Sequence, residues 1–203
     1  MGRIINYTLE MKYKLVILFV IILAFSVFVV NAQAITSLHN TEFSLNALDN
    51  WAYQESGNSL QNVFGGGPWV RLIPVEFSEM LINPGQELSG TTIKNHGAYV
   101  TIGLDTAYPF RNVPLNIYTQ YNLNLSEVKI FARANVTIDG EEAVRIHRTP
   151  RDNSTNVEVV DYYTVHEGKP FSLQFISNVK DFQRYLPEFE QMIKTFKFVK
   201  QTK

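Results

Sequence analysis

The chain has 203 residues, 45% of them hydrophobic and 18% charged, enough for one globular domain with a substantial core. Its formal net charge of −1 excludes the overall basicity of a nucleic-acid binder. It has no cysteine, which excludes disulfides, thiolate metal sites, a cysteine nucleophile and lipid attachment through an N-terminal cysteine.

In chain order, residues 1–34 read as a targeting segment. Lys12 and Lys14 give it a positive start, and Leu15 to Val30 an apolar run broken only by Ser26. Ala32-Gln33-Ala34 is a small-x-small cleavage site. The pattern reads better from Met11 than from Met1. An uncleaved membrane anchor is the competing reading. The run has 16 residues; at about 1.5 Å per residue it spans about 24 Å, short of the ~30 Å hydrocarbon core, which favours cleavage. Either way, residues 35–203 are expected on the outer side of the membrane. Setting Arg3, Lys12, Lys14 and Glu10 aside from the net charge of −1 leaves that part at −3. Asn124-Leu125-Ser126, Asn135-Val136-Thr137 and Asn153-Ser154-Thr155 are glycosylation acceptors, compatible with export.

Residues 35–40 read as a linker, 41–199 as the domain and 200–203 as a tail. Phe43, Leu45 and Ala47 alternate as in a half-buried strand, and Trp51 after the Asp49-Asn50 turn reads as a core anchor. Gly65-Gly66-Gly67-Pro68 lacks the Lys-Ser/Thr of a phosphate cradle and reads as a loop. A strand follows through Val70, Leu72 and Ile73, then a short apolar stretch from Phe77 to Ile82, and another strand from Ala98 to Leu104. Leu115 to Leu125 is a helix candidate whose face would carry Leu115, Tyr118, Tyr121 or Asn122, and Leu125. Short strands are expected over 128–132, 134–139 and 143–148, the last two joined at Asp139-Gly140, where both residues tolerate positive φ.

The C-terminal stretch carries most of the fold information. Val157 to Val165 is a strand, Glu167-Gly168-Lys169-Pro170 a turn, and Phe171 to Ser177 a second strand with Phe171, Leu173 and Phe175 on one face. Phe182, Tyr185, Leu186, Phe189, Met192, Ile193 and Phe196 then recur at helical spacing. Asp181 is the expected N-cap. Pro187 would fit the first turn of the main helix, with Lys180 to Leu186 as a preceding turn or short helix. Many strands with late helices imply an α+β fold, an antiparallel sheet faced by helices.

Several stretches together resemble the PsbP-like family, the fold of extrinsic subunit P of the oxygen-evolving complex. They are Glu42-Phe43-Ser44-Leu45 followed by Trp51, the strand–turn–strand from Val136 to Ala143, Asp161-Tyr162-Tyr163-Thr164 with Phe171 to Phe175, and the aromatic series from Phe182 through Tyr185-Leu186-Pro187 to Phe196 and Phe198. The resemblance spans most of 41–199 and is tightest at the end. It implies an α/β/α sandwich on a central antiparallel sheet, export, an extrinsic role on a membrane protein complex or envelope component, and weak calcium or manganese association. Non-photosynthetic archaea and bacteria have such relatives. Asn46 to Asn50 stands where the family has Tyr-Pro before its tryptophan, and no photosynthetic role is expected.

No catalytic constellation emerges. His39, His96, His147 and His166 lack metal-ligand spacing, although His147 and His166 lie on strands that could be neighbours. No Gly-x-Ser-x-Gly elbow is present. Asp139, Glu141 and Glu142 are too few oxygens on too tight a turn for calcium. Arg145, His147, Arg148 and Arg151 form the one basic cluster, with Arg145 and His147 on one face of a strand and Arg148 on the other. With His166 they could grip an acidic partner or anionic headgroups; equally, they could be polar residues of an outer sheet face and its loop. The expected protein is an exported, non-enzymatic accessory or binding domain without a cofactor. The alternative is a carrier of a small ligand or of a calcium or manganese ion, using a cleft near Gly65 to Trp69.

Overall fold

The computed structural model describes residues 35–55, 69–81, 97–105, 112–124, 128–150 and 156–200. The chain divides into Met1–Ala34 and Ile35–Lys203. The targeting segment, the 65–68 glycine run, His96, Arg151 and Asn153 lie outside the described residues.

Two antiparallel sheets make up the described part of Ile35–Lys203. In the smaller, β1 (Ile35–His39) and β10 (Lys197–Phe198) flank β2 (Phe43–Leu48). The expected linker 35–40 is therefore a correction: Ile35 to His39 pairs residue by residue with Leu48 to Ser44. Its turn closes at Asn40, whose Oδ1 accepts from the backbone N–H of Glu42 and of Phe43, both at 2.9 Å.

The larger sheet has seven strands in the order β3 (Trp51–Glu55), β4 (Trp69–Pro74), β5 (Ala98–Leu104), β9 (Lys169–Asn178), β8 (Val157–His166), β7 (Glu141–Arg148), β6 (Ile130–Ile138). Here the two strands expected over 128–132 and 134–139 are one, bent by an irregularity between Ile130 and Ala132. The Asp139-Gly140 hairpin forms as expected, with φ of 50° and 86°. The β8–β9 turn is tighter than the four residues read from sequence: only Glu167 and Gly168 leave the ladder, at φ 49° and 74°. Gly168 is fixed sterically, because a Cβ there would stand 2.0 Å from Asn112 Oδ1.

Helices cover both faces of the larger sheet, giving the α/β/α arrangement. On one face α1 (Leu115–Asn124) buries Tyr118 against Tyr163, ring to edge at 5.5 Å, with Val144 and Ile146 beside them. Its buried pair is Tyr118 and Thr119; Tyr121, expected on the buried face, is exposed. On the other face α2 (Val179–Ile193) buries Phe182, Tyr185, Phe189, Met192 and Ile193. Phe175 of β9 stacks on Phe189 at 5.4 Å and meets Phe182 at 5.7 Å. Each fully buried aromatic of this kind stabilises by about 1.5–3 kcal/mol. The smaller sheet joins the same core through Phe43, Leu45 and Phe198, with Phe196 just before β10 beside them.

Two expectations for α2 need correction. Its N-cap is Asn178, not Asp181: Asn178 Oδ1 accepts from Lys180 N at 2.9 Å and Asp181 N at 3.0 Å. The Asp181 carboxylate instead takes Gly97 N at 2.8 Å and Asn178 Nδ2 at 2.9 Å, tying the helix start to the entry of β5. In addition, Pro187 lies inside one continuous helix rather than at the start of a second. It sits on the solvent side, where water can meet the carbonyl deprived of its donor.

Candidate functional site

The basic cluster singled out in the sequence is divided by the pleat of β7. Arg145 and His147 turn toward α2. Arg145 Nη2 and Nε donate to Glu190 Oε1 at 2.7 and 3.1 Å, and Nε also meets Tyr162 Oη at 3.0 Å. Burial opposes the Arg145 charge, but Tyr162 and Glu190 outweigh it and hold the guanidinium above its usual range. His147 stacks on Phe182 at 5.0 Å, meets Phe131 at 4.8 Å, and pairs through Nε2 with Glu158 Oε2 at 2.6 Å.

Arg148 turns to the α1 face. Its side chain is 4% exposed and its Nε donates to Asp161 Oδ2 at 2.6 Å; Asp161 is 0% exposed and takes Gln174 Nε2 on Oδ1 at 2.8 Å. Burial acts against the Arg148 charge, and Asp161 and Tyr163 overcome it, leaving Arg148 above its usual range. His166 is not beside His147. It stacks on Phe198 at 4.2 Å, pairs through Nδ1 with Glu141 Oε1 at 2.9 Å, and its Nε2 is buried without a partner. Each described member of the cluster thus has an internal carboxylate, and the members are not gathered into one patch.

Metal ligation finds little to work with. Among the described residues no three His, Asp or Glu side chains converge. Asp139 is taken by Lys197 Nζ at 2.7 Å and Phe198 N at 3.0 Å, and Glu141 by His166. These residues do not fit the calcium or manganese association that the sequence resemblance implies. The only other histidine described, His39, lies beside Ser37 Oγ at 2.9 Å.

What sequence reasoning missed is a polar line on the α1 face. Strand registers set Gln54, Arg71, Thr101, Gln174, Asp161 and Ile146 opposite one another, in that order, across β3, β4, β5, β9, β8 and β7. Rows on either side place Trp69 opposite Gly103 and Tyr99 opposite Ile176. Arg71 is therefore flanked by aromatic residues, its Cζ 5.4 Å from the Trp69 ring and 5.9 Å from that of Tyr99. The signal available was a single arginine inside the run Trp69-Val70-Arg71-Leu72-Ile73. The partners could not be read, because cross-strand register is not local.

The chain is similar in structure to PsbP. The likeness is to the solution structure of cyanobacterial PsbP (CyanoP) from Synechocystis, at 9% identity and TM-score 0.48, over 84% of this chain and 96% of that one. It is also similar to LpqN, described as involved in cell envelope biogenesis of Mycobacterium tuberculosis, at 12% identity and TM-score 0.49, over 83% and 92%. A protein of unknown function from Pseudomonas aeruginosa, PA94, aligns at 13% identity and TM-score 0.46, over 83% and 99%. No protein-family model and no curated protein matches the chain. Among the described residues, no helix is long and apolar enough to cross a membrane.

Proposed function

We propose that the protein is an exported, non-enzymatic accessory domain at the outer face of the membrane, docking on a membrane protein complex or another envelope component. The observation that carries this reading is the junction at Ala34. The charged start, the apolar run and the small-x-small site end there, and the compact unit begins at the next residue, Ile35. The unit's net charge of −3 and its internally neutralised basic residues suit a protein that meets its partner through shape and a few polar contacts. Of the basic set, Arg145 and His147 keep side chains 22% exposed, which supports a partner contact through them, whereas Arg148 serves as an internal counter-ion.

Cross-linking of the native protein in its membrane, followed by mass spectrometry, tests this. Reproducible links from peptides near Arg145 and His147 to one membrane complex support docking, and the N-terminal peptide in the same run separates a cleaved signal from an anchor. A soluble protein beginning at Ile35 with no reproducible partner refutes it. A second reading, a small-ligand carrier, is favoured by Arg71, a guanidinium in the sheet whose Nε has no acceptor.

A further inference from the structure

We propose that the protein pairs with a second copy of itself through the outer edge of β6, antiparallel about a two-fold axis at Asn135. The proposal goes beyond the docking reading and does not rest on it, so either can fail alone.

β6 ends the larger sheet, and among the described residues only β7 pairs with it. Residues 130–135 and Thr137 are exposed. A long strand edge with free N–H and C=O groups invites pairing, and most proteins guard theirs with charges, proline or a bulge. Over Ile130–Ile138 the only charged residue is Arg133, there is no proline, and the irregularity lies at the Ile130–Ala132 end. The hairpin fixes which backbone groups are free. Asp139-Gly140 is a two-residue loop, so Ile138 and Glu141 close it as a hydrogen-bonded pair, and bonded and non-bonded pairs alternate from there. Ala134 and Val136 then bond to β7, while Arg133, Asn135 and Thr137 turn their N–H and C=O outward. The Glu142 carbonyl agrees with this phase. It takes Thr164 Oγ1 from the β8 side at 2.9 Å, and so faces away from Thr137, its opposite residue on β6.

The residues of β6 select a second copy as the occupant, because the edge is complementary to itself. With the two-fold at Asn135, Arg133 of each copy stands opposite Thr137 of the other, and every outward group finds its match in about six hydrogen bonds. On the α1 face the two Asn135 side chains meet as amides that can donate to and accept from one another. The two arginines stand about 13 Å apart along the strands, beyond the screening length of about 8 Å. On the α2 face lie Ala134 and Ala132, the cross-strand neighbours of Arg145 and His147. These exposed alanines receive larger side chains, Ala134 opposite Val136 and Ala132 opposite Ile138 of the other copy. A two-fold at Arg133 would set the guanidinium groups face to face. Shifts to Ala134 or Thr137 would set outward groups against the irregularity at Phe131 or against the hairpin turn.

The test uses the full chain in a neutral maltoside detergent. The chain has no cysteine, so each single-cysteine variant carries one thiol. Paired α-carbons stand about 5.5 Å apart at the two-fold, within disulfide reach, whereas the copies of residue 133 or 137 stand about 13 Å apart, beyond the limit of roughly 7 Å. Under mild oxidation Asn135→Cys should therefore form a disulfide dimer about tenfold or more faster than Arg133→Cys or Thr137→Cys. Sedimentation of the wild-type chain should show a dimer. Asn135→Lys puts like charges face to face, and Asn135→Pro removes an outward N–H without touching the β7 ladder; both should sediment as monomers with native circular dichroism. A wild-type chain that stays monomeric across the concentration range overturns the proposal. So does a dimer that survives in both variants, or an equal disulfide rate at the three positions. Oxidation of Asn135→Cys in the native membrane to a different protein, rather than to itself, would replace the second copy as occupant and overturn it too. A glycan on Asn135 of the native chain, within the acceptor Asn135-Val136-Thr137, would fill the two-fold and do the same.

Discussion

Replacing Asp161 by Asn tests the buried ion pair that anchors β7 to β8. In the native chain the Asp161 carboxylate takes Arg148 Nε on one oxygen at 2.6 Å and Gln174 Nε2 on the other at 2.8 Å, with the aspartate 0% exposed. Asparagine preserves the size and can still accept from Gln174, but it leaves the Arg148 charge with neutral partners only, among them the Thr149 carbonyl at 2.9 Å. Breaking a buried pair from one side costs about 3–5 kcal/mol, and at roughly 2–4 °C per kcal/mol Tm falls by about 6–20 °C. Removing both charges as Arg148→Met with Asp161→Leu should bring stability back to within about 1 kcal/mol of the native chain. Thermal unfolding followed by circular dichroism reads all three variants. The reasoning fails if Asp161→Asn unfolds within about 1 kcal/mol of the native chain, or if the double variant is no more stable than Asp161→Asn.

Three further outcomes follow from the geometry. Asn178→Ala removes both acceptor contacts that cap α2 and should cost about 1–2 kcal/mol in urea unfolding, with Asn178→Asp recovering only part of it, because its second oxygen would face the Asp181 carboxylate to which Asn178 Nδ2 now donates; equal stability of the alanine variant would remove the capping role. Pro187→Ala supplies the missing N–H on the exposed side of α2 and should stabilise by about 1–3 kcal/mol, whereas a loss would mean that the ring packs in a way its exposure does not indicate. Asp139→Asn retains a residue that tolerates the φ of 50° but gives up the contact with Lys197. Burial works against the Asp139 carboxylate, yet Lys197 and the Phe198 N–H outweigh it and hold it below the usual carboxylate range. Its folded value is thus lower than its unfolded one, so its stabilisation is complete above the unfolded value of about 3.9 and disappears as pH falls through the folded value. The native chain should exceed the variant by about 1 kcal/mol or less at neutral pH, and the two should converge in acid; a gap that persists in acid would contradict the sign.

The C-terminal unit was legible because its information is local. Phe171, Leu173 and Phe175 alternate along one strand, and Phe182, Tyr185, Phe189 and Met192 repeat along one helix, so each pattern is visible without a partner. β1 was not legible because Leu38 is the only buried one of residues 36–39, and pairing with β2 rather than composition makes it a strand. β6 reads as two strands in the sequence because most of its side chains are exposed and Arg133 interrupts the apolar pattern. Asn178 does not stand out as a cap because it is also the last residue of β9, paired across to Val157, and serves both elements. The carboxylate partners of the basic cluster stayed hidden for the same reason as the polar line: Glu190 lies 45 residues from Arg145 and Asp161 lies 13 from Arg148, distances that only the sheet closes.

The smaller sheet also sets the order in which the molecule can be finished. β10 pairs with β2, Val199 N donates to Glu42 O at 2.9 Å, and Asn46 N donates to Thr195 Oγ1 at 2.9 Å across 149 residues of chain. The aromatic residues Phe196 and Phe198, which complete the core around Phe43, are among the last of the domain's residues to be made. The beginning of the domain must therefore wait, unclosed, until synthesis of its end is nearly complete, and closing so long a loop makes the step slow.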